Sequence, residues 1–239
     1  MNAQNETVYG EYCVIEEGAV IGKGCVIGHH VIIRAGCRIG NGVRIDDFAS
    51  IGKLPMKAAN SAPVQAQGTS EPATIGDGAI IGTGAVIYAG ARLGNDVLVA
   101  DLATVREQVT IGDKTIIGRG AAIENCCTIG ARCKIETNAY ITAYSQIEDG
   151  CFVAPGVVTS NDNTAGRGVE RFARFRGVTL RRGGRLGAGA VVLPGVTVGE
   201  DGFAAAGSVV TKDIPNAVIV CGSPARKMRD VPPEQLLNN

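Results

Sequence analysis

Residues 158–177, VTSNDNTAGRGVERFARFRG, gather Asn161, Asp162, Asn163, Arg167, Arg171, Arg174 and Arg176 in one polar stretch. An amide beside a carboxylate can hold and orient a small polar group, and guanidinium forks can meet an anion. A solvated surface loop would look alike, but Phe172 and Phe175, two of only five phenylalanines, point to packing against something. Nearer the end, Ala206, Gly207 and Ser208 are followed by Lys212, Pro224, Arg226 and Lys227. Small residues let a thin chain approach backbone donors and acceptors, and the cations can meet phosphates or simply cap the fold. Histidine, the commonest side-chain base, is supplied only by His29 and His30, far along the chain from both groups.

These residues hang on a repeat of six. Ile15, Ile21, Ile27, Ile33, Ile39, Ile45 and Ile51 form one run, a second goes from Ile75 to Val153 without a miss, and Leu180, Leu186, Val192, Val198, Ala204 and Val210 form a third. Four places after each anchor stands a small or β-branched residue, such as Ala19, Cys25, Val31 or Cys37, and glycine often follows the anchor. Neither a helix nor simple alternation yields one aliphatic in six. A short strand, a corner and another strand, stacked on copies of itself, does: two inward side chains per repeat fill a narrow prism. The expectation is an all-β domain over residues 1–239, a parallel β-helix of about nine coils, about 43 Å tall at the usual strand spacing.

Two loop excursions break the repeat, at about 53–74 and about 159–177, the first with the prism resuming in phase; a short C-terminal helical tail is expected over about 216–239. A regular prism has no cavity, so function must come from what leaves it.

The register also sorts the eight cysteines. Cys13, Cys25, Cys37, Cys127, Cys133 and Cys151 take the small inward place and should be buried thiols; Cys126 faces away from Cys127, so only Cys126 and Cys221 can reach solvent. With 23 basic and 23 acidic residues there is no global field for nucleic acid or an acidic membrane. No leader-like segment or long apolar run occurs, so a soluble, cytoplasmic protein with reduced thiols is expected.

The repeat resembles the hexapeptide-repeat family, whose members form left-handed parallel β-helices with three hexads per coil. The handedness comes from the resemblance, since parallel crossovers are normally right-handed. Residues 184–231 resemble the closing segment of the family's acyltransferases, on Ala206-Gly207-Ser208-Val209-Val210-Thr211-Lys212-Asp213-Ile214-Pro215 and Gly222-Ser223-Pro224-Ala225-Arg226. That implies acetyl-CoA as acyl donor, held by backbone groups near Ala206, Gly207 and Ser208 with Lys212, Pro224, Arg226 and Lys227 nearby. It also implies a homotrimer with its sites between neighbours.

A narrower resemblance joins Lys134 to Asn161, through Glu136-Thr137-Asn138 and Glu148-Asp149-Gly150-Cys151-Phe152-Val153-Ala154-Pro155, to bacterial N-acetyltransferases of nucleotide-linked amino sugars. It implies that Asn161 contacts the sugar's amino group with Asp162 beside it, and that Glu136, Asn138 and Arg167 bind substrate. Stacking adds Tyr144, one eighteen-residue coil below Asp162. The chain departs from that group where Glu136-Thr137-Asn138 replaces Gln-Asn-Asn and Thr164-Ala165-Gly166-Arg167 replaces Pro-Arg. Carbonic anhydrases of the same fold bind zinc through three histidines; this chain has two, and no metal is expected.

The first reading is therefore N-acetylation of a nucleotide-linked amino sugar, because an amine is already nucleophilic and needs orientation more than deprotonation; Asn161 and Asp162 are the expected catalytic pair that holds it against the thioester, its proton leaving through water, Asp162 or the departing thiolate. The second is O-acetylation of a sugar, or acylation of another small amine, with His29 or His30 as base across a subunit contact. The third, of another class, is a non-catalytic scaffold.

Overall fold

The structure, a computed structural model, describes residues 6–56, 58, 71–168 and 170–237. Strands of mostly two residues stack in parallel, Val8 against Val26 and Tyr9 against Ile27, one coil apart. The result is a left-handed β-helix of about 11 turns with three faces. Face I has twelve strands, among them Lys134–Ile135, Phe152–Val153 and Phe203–Ala204; face II has ten, among them Tyr140–Ile141, Val158–Thr159 and Val209–Val210; face III has nine, among them Gln146–Ile147, Thr179–Leu180 and Thr197–Val198.

The turns outnumber the nine expected because both end coils hide from the hexad pattern. Tyr9, an aromatic, takes the anchor place below Ile27. At the top Ile214 bridges Val198, and Val220 stacks on Ala204, in a coil shortened to a spacing of 16.

From Ile27 onward anchors and small residues alike are buried, while at the N-terminal end Tyr9 is 49% and Ile15 39% exposed. Corner amides that two-residue strands leave unpaired are met from the coil above. Asp47, Asp77, Asn95, Asp101, Asp113 and Asp149 each accept such an N–H at 2.7–2.9 Å.

The cysteines follow their register. Five are buried, Cys126 is half-buried beside buried Cys127, and Cys221 is exposed; Cys13 differs from expectation in being only half-buried, because it lies at the open end. Burial pushes the Cys127 thiol up to about 12, so it is inert at neutral pH.

The first excursion keeps phase as expected: Arg38 pairs with Thr74, and Asn41 meets Asp77, in the adjacent coil across a spacing of 36, one coil plus an excursion of the same length. Residues 57 and 59–70 of that excursion lie outside the described residues. The second leaves after Thr159 and rejoins at Val178. Beyond the prism the expected helical tail is mostly an antiparallel hairpin, Val218–Gly222 with Ala225–Asp230; helical geometry is confined to the 3-10 turn Pro233–Gln235. Val218, Ile219 and Val220 continue face I, and Pro215, Pro224, Pro232 and Pro233 lack the N–H a helix needs. Among the described residues no helix is long and apolar enough to cross a membrane.

Candidate functional site

Where the loop leaves, the regular ladder is broken and polar groups inside the prism replace it. Thr159 Oγ1 accepts the Thr142 N–H at 2.8 Å and donates to the Tyr140 carbonyl at 3.1 Å. Ser145 Oγ donates to the Thr142 carbonyl at 2.7 Å and accepts the Val178 N–H at 3.2 Å, as the chain returns across a spacing of 33. These three residues are among the few buried polar ones, and each hydroxyl bond contributes about 1 kcal/mol. Ser145 occupies an inward place that Cys127 and Val178 fill in neighbouring coils. That break in an apolar column is the sequence signal for the loop's anchorage, and hexad reading alone passes over it.

The loop closes on itself at the neck, where the Arg176 N–H donates to the Asn161 carbonyl at 3.2 Å. The Asn161 side chain is half-buried and makes no hydrogen bond to a described residue. Asp162 is fully engaged. One carboxylate oxygen accepts the Thr164 N–H at 2.7 Å and its hydroxyl at 2.6 Å, the other accepts the Gly166 N–H at 2.9 Å, and Arg171 lies 3.8 Å away. The Thr164 hydroxyl above all, then the two backbone N–H groups, hold its pKa below the usual carboxylate range, so it organises the loop and is a weak base. Arg171 also lies 4.4 Å over the Phe172 ring, which meets Phe175 edge-on at 5.5 Å. This is the packing that the two phenylalanines implied.

Because the native carboxyl is more acidic than an unfolded one, its contribution is complete above the ordinary carboxylate range and is lost as pH falls through the lowered value. Backbone hydrogen exchange in 162–168, corrected for intrinsic rates, should therefore rise only in strong acid. In Asp162→Asn it should be high at every pH.

The expected site residues divide between two edges of the prism. Edge II/III carries Tyr144 and, through the loop, Asn161, Asp162 and exposed Arg167; Lys212 also falls there, between Val210 on face II and the Ile214 bridge to face III. Burial pushes the Tyr144 hydroxyl up, with Cys126 adding to it, so it keeps its proton at neutral pH and can donate a hydrogen bond. Edge I/II carries exposed Asn138 and half-buried Glu136, with Ala206 and Gly207 three coils higher and the hairpin bearing Pro224, Arg226 and Lys227 above them. Lys227 pairs with Asp230 at 2.8 Å, and the Arg226 guanidinium bonds its neighbour's carbonyl at 2.9 Å. The Ser208 side chain points into the core and is fully buried, so only its backbone can face a ligand.

Between Asn138 and Gly207 the edge is bare. Gly156, Gly189 and Gly207 all have positive φ, and a Cβ added at any of them would meet nothing within 4 Å. Pro155, Ala188 and Ala206 precede them, leaving a smooth track of small residues. His29 and His30 lie on this same edge at the far end. His30 is stacked between Tyr12 and Phe48 at 5.0 and 4.9 Å, eight coil steps, or about 38 Å, from Gly207.

A groove of about 550 Å³ opens on face III, lined by Thr128, Gln146, Glu148, Thr179 and Arg181, and none of the expected site residues reaches it. Arg181 there is neutralised by Glu148 at 2.7 Å. Among the described residues no cluster of His, Cys, Asp and Glu could hold a metal ion.

The sequence matches the description "Bacterial transferase hexapeptide (six repeats)" over residues 12–47 and 108–143, and "Hexapeptide repeat of succinyl-transferase" over 72–100 and 177–212. Together these matches take in more than half of the chain. Similar proteins include galactoside O-acetyltransferase of Escherichia coli, 35% identical over 91 residues, 36% of this chain and 43% of that one. Another is 2,3,4,5-tetrahydropyridine-2,6-dicarboxylate N-acetyltransferase of Clostridium perfringens, 48% identical over 46 residues, 19% of this chain and 20% of that one. The first such relatives are matched over 59%, 22% and 43% of their own length. Among solved structures, UDP-N-acetylglucosamine acyltransferase of Francisella novicida shares the fold with a TM-score of 0.56 at 18% identity, over 93% of this chain and 70% of that one. With its six-residue anchors, its three-faced left-handed coil and these matched repeats, the chain belongs to the hexapeptide-repeat acyltransferase family.

Proposed function

We propose that the protein is an acetyl-CoA-dependent N-acetyltransferase acting on an amino group of a nucleotide-linked sugar. The observation that carries this reading is the loop at edge II/III, which holds the unspent amide of Asn161 one coil above the Tyr144 hydroxyl. In the reaction the neutral amine attacks the thioester carbonyl carbon, the C–N bond forms, the C–S bond breaks, and the amine proton passes to water or the departing thiolate. Asp162, its oxygens taken by Thr164 and Gly166, is left to hold the loop.

The donor fits the bare track at edge I/II. A pantetheine arm is thin, and Gly156, Gly189 and Gly207 leave its path clear, with the hairpin cations beyond. Acceptor loop and donor track stand on opposite edges of face II, so the reading includes a homotrimer in which one copy's loop meets the next copy's track. The surface supports such packing. Faces I and II expose Ile80 (41%), Phe152 (38%), Tyr140 (38%) and Val158 (44%), whereas face III presents Thr110, Thr128 and Gln146.

The test follows coenzyme A thiol release from acetyl-CoA with UDP- and dTDP-linked amino sugars, beside sugars offering only hydroxyls. Release with one amino sugar, lost in Asn161→Ala, is the expected result. Release only with hydroxyl sugars sinks the amine reading.

Relatives whose names specify O-acetyl transfer favour a second reading, with His29 or His30 of a neighbouring copy as base. It requires that replacing both histidines, His29→Ala with His30→Ala, abolish transfer to the hydroxyl sugars. Transfer that survives the double substitution removes this reading.

A further inference from the structure

The four arginines of the loop are not equivalent. Arg171 is spent on Asp162 and the Phe172 ring, and Arg174 on Glu170 at 3.0 Å. Arg167 stands exposed between loop turns. Arg176 is different because it is tied at its base. Its N–H is bound to Asn161, and the next residue, Gly177, lies so close to the coil below that a Cβ would come within 2.3 Å of the Tyr144 carbonyl carbon and the Ser145 nitrogen. The Arg176 side chain runs past Gly195, whose own Cβ would sit 3.7 Å from its Cβ and Cδ. No described carboxylate pairs with it, and the residue is exposed.

Arg176, tied by its backbone to Asn161 and with its guanidinium donors unspent, thus runs past Gly195 on the edge that also carries Asn161 and Tyr144, and Lys212 adds a second cation on that edge. A planar fork of this kind matches two oxygens of one phosphate, which a lysine cannot do.

We propose that Arg176 is the phosphate-binding residue of the acceptor site, gripping the diphosphate of a nucleotide-linked substrate so that its sugar hangs against Asn161 and Tyr144. The proposal deepens the acceptor reading above and rests on it. Coenzyme A also carries a diphosphate, but even where a neighbour's track meets the loop, the cations that would take it, Arg226 and Lys227, stand on the hairpin, coils above the loop.

Titration calorimetry on the intact protein separates the two sources, with UDP and dTDP as one set of probes and coenzyme A as the other. Arg176→Ala should raise the Kd of the better nucleoside diphosphate at least tenfold and leave coenzyme A within twofold. Arg176→Lys should recover little of the loss, and Arg174→Ala should bind the nucleotide as the wild type does. Matching melting curves for all variants exclude a folding defect. The proposal is overturned if neither nucleotide binds, if Arg176→Ala binds them as the wild type does, or if the loss falls on coenzyme A. Failure of every amino sugar to accept acetyl, with nucleotide binding still dependent on Arg176, would overturn the amine reading and leave the phosphate site standing.

Discussion

Gly177→Ala should cut acetyl transfer by about 100-fold or more, equivalent to roughly 2.7 kcal/mol of transition-state stabilisation, while the prism stays folded. The atoms a Cβ would strike, the Tyr144 carbonyl and the Ser145 nitrogen, are backbone held by the ladder, so the loop must give way. Overpacking of this kind costs about 1–3 kcal/mol, and its relief would draw Arg176 off Asn161 and Val178 off Ser145 Oγ. The acceptor groups then lose their common anchor. Gly168→Ala is the control: it has positive φ but nothing within 4 Å, so it should lose only about 1 kcal/mol of local stability and keep activity. Full activity in Gly177→Ala would mean that the neck does not position the acceptor.

The largest effect on stability is expected from Ile135→Ala. Ile135 is fully buried between Ile117 below and Val153 above, in strands too short to shift into the space left behind. A cavity of that size costs about 2–5 kcal/mol. At this chain length the thermal midpoint should fall by roughly 5–15 °C. In a stacked array each coil leans only on its neighbours, so a defect in the middle uncouples the two halves and the transition should broaden. Ile15→Ala, at the open end where that residue is 39% exposed, should shift stability by no more than about 1 kcal/mol. Equal effects at the two positions would contradict the prism as the source of stability.

The fold was legible because one aliphatic in six carries both the spacing and the inward direction. The same phase predicted that Cys126 and Cys127 face opposite ways and that the prism resumes in phase after the first excursion, as the pairing of Arg38 with Thr74 in the next coil shows. The end coils were not legible. Tyr9 and Ile214 depart from the pattern, and prolines turn the expected helical tail into a hairpin. How the expected site residues are arranged was not legible. Hexad phase gives depth within the wall, whereas the edge depends on position within the whole eighteen-residue coil. Asn138 and Asn161 differ by 23, which is no multiple of a coil, and they stand on different edges. Lys212 shares the edge of Asn161 although 51 residues separate them, because the loop adds fifteen residues to one coil, so that Thr159 pairs with Val192 across 33. No counting reveals that Asp162 spends both oxygens on its own loop, because that depends on how the loop folds.

The coil-to-coil hydrogen bonds all run along the prism axis, so the body is stiff in the direction that spans the coils and has no hinge. It behaves as a ruler: the distance between its edges is set by strand width and cannot change during turnover. Enzymes of ordinary domain architecture close around substrate by moving lobes. Here any closing motion falls to the parts outside the parallel ladder, the loop that leaves after Thr159 and the outer hairpin strand Ala225–Asp230, so on the acceptor-loop reading proposed above, exchange of the loop alone would change the acceptor without disturbing the rod.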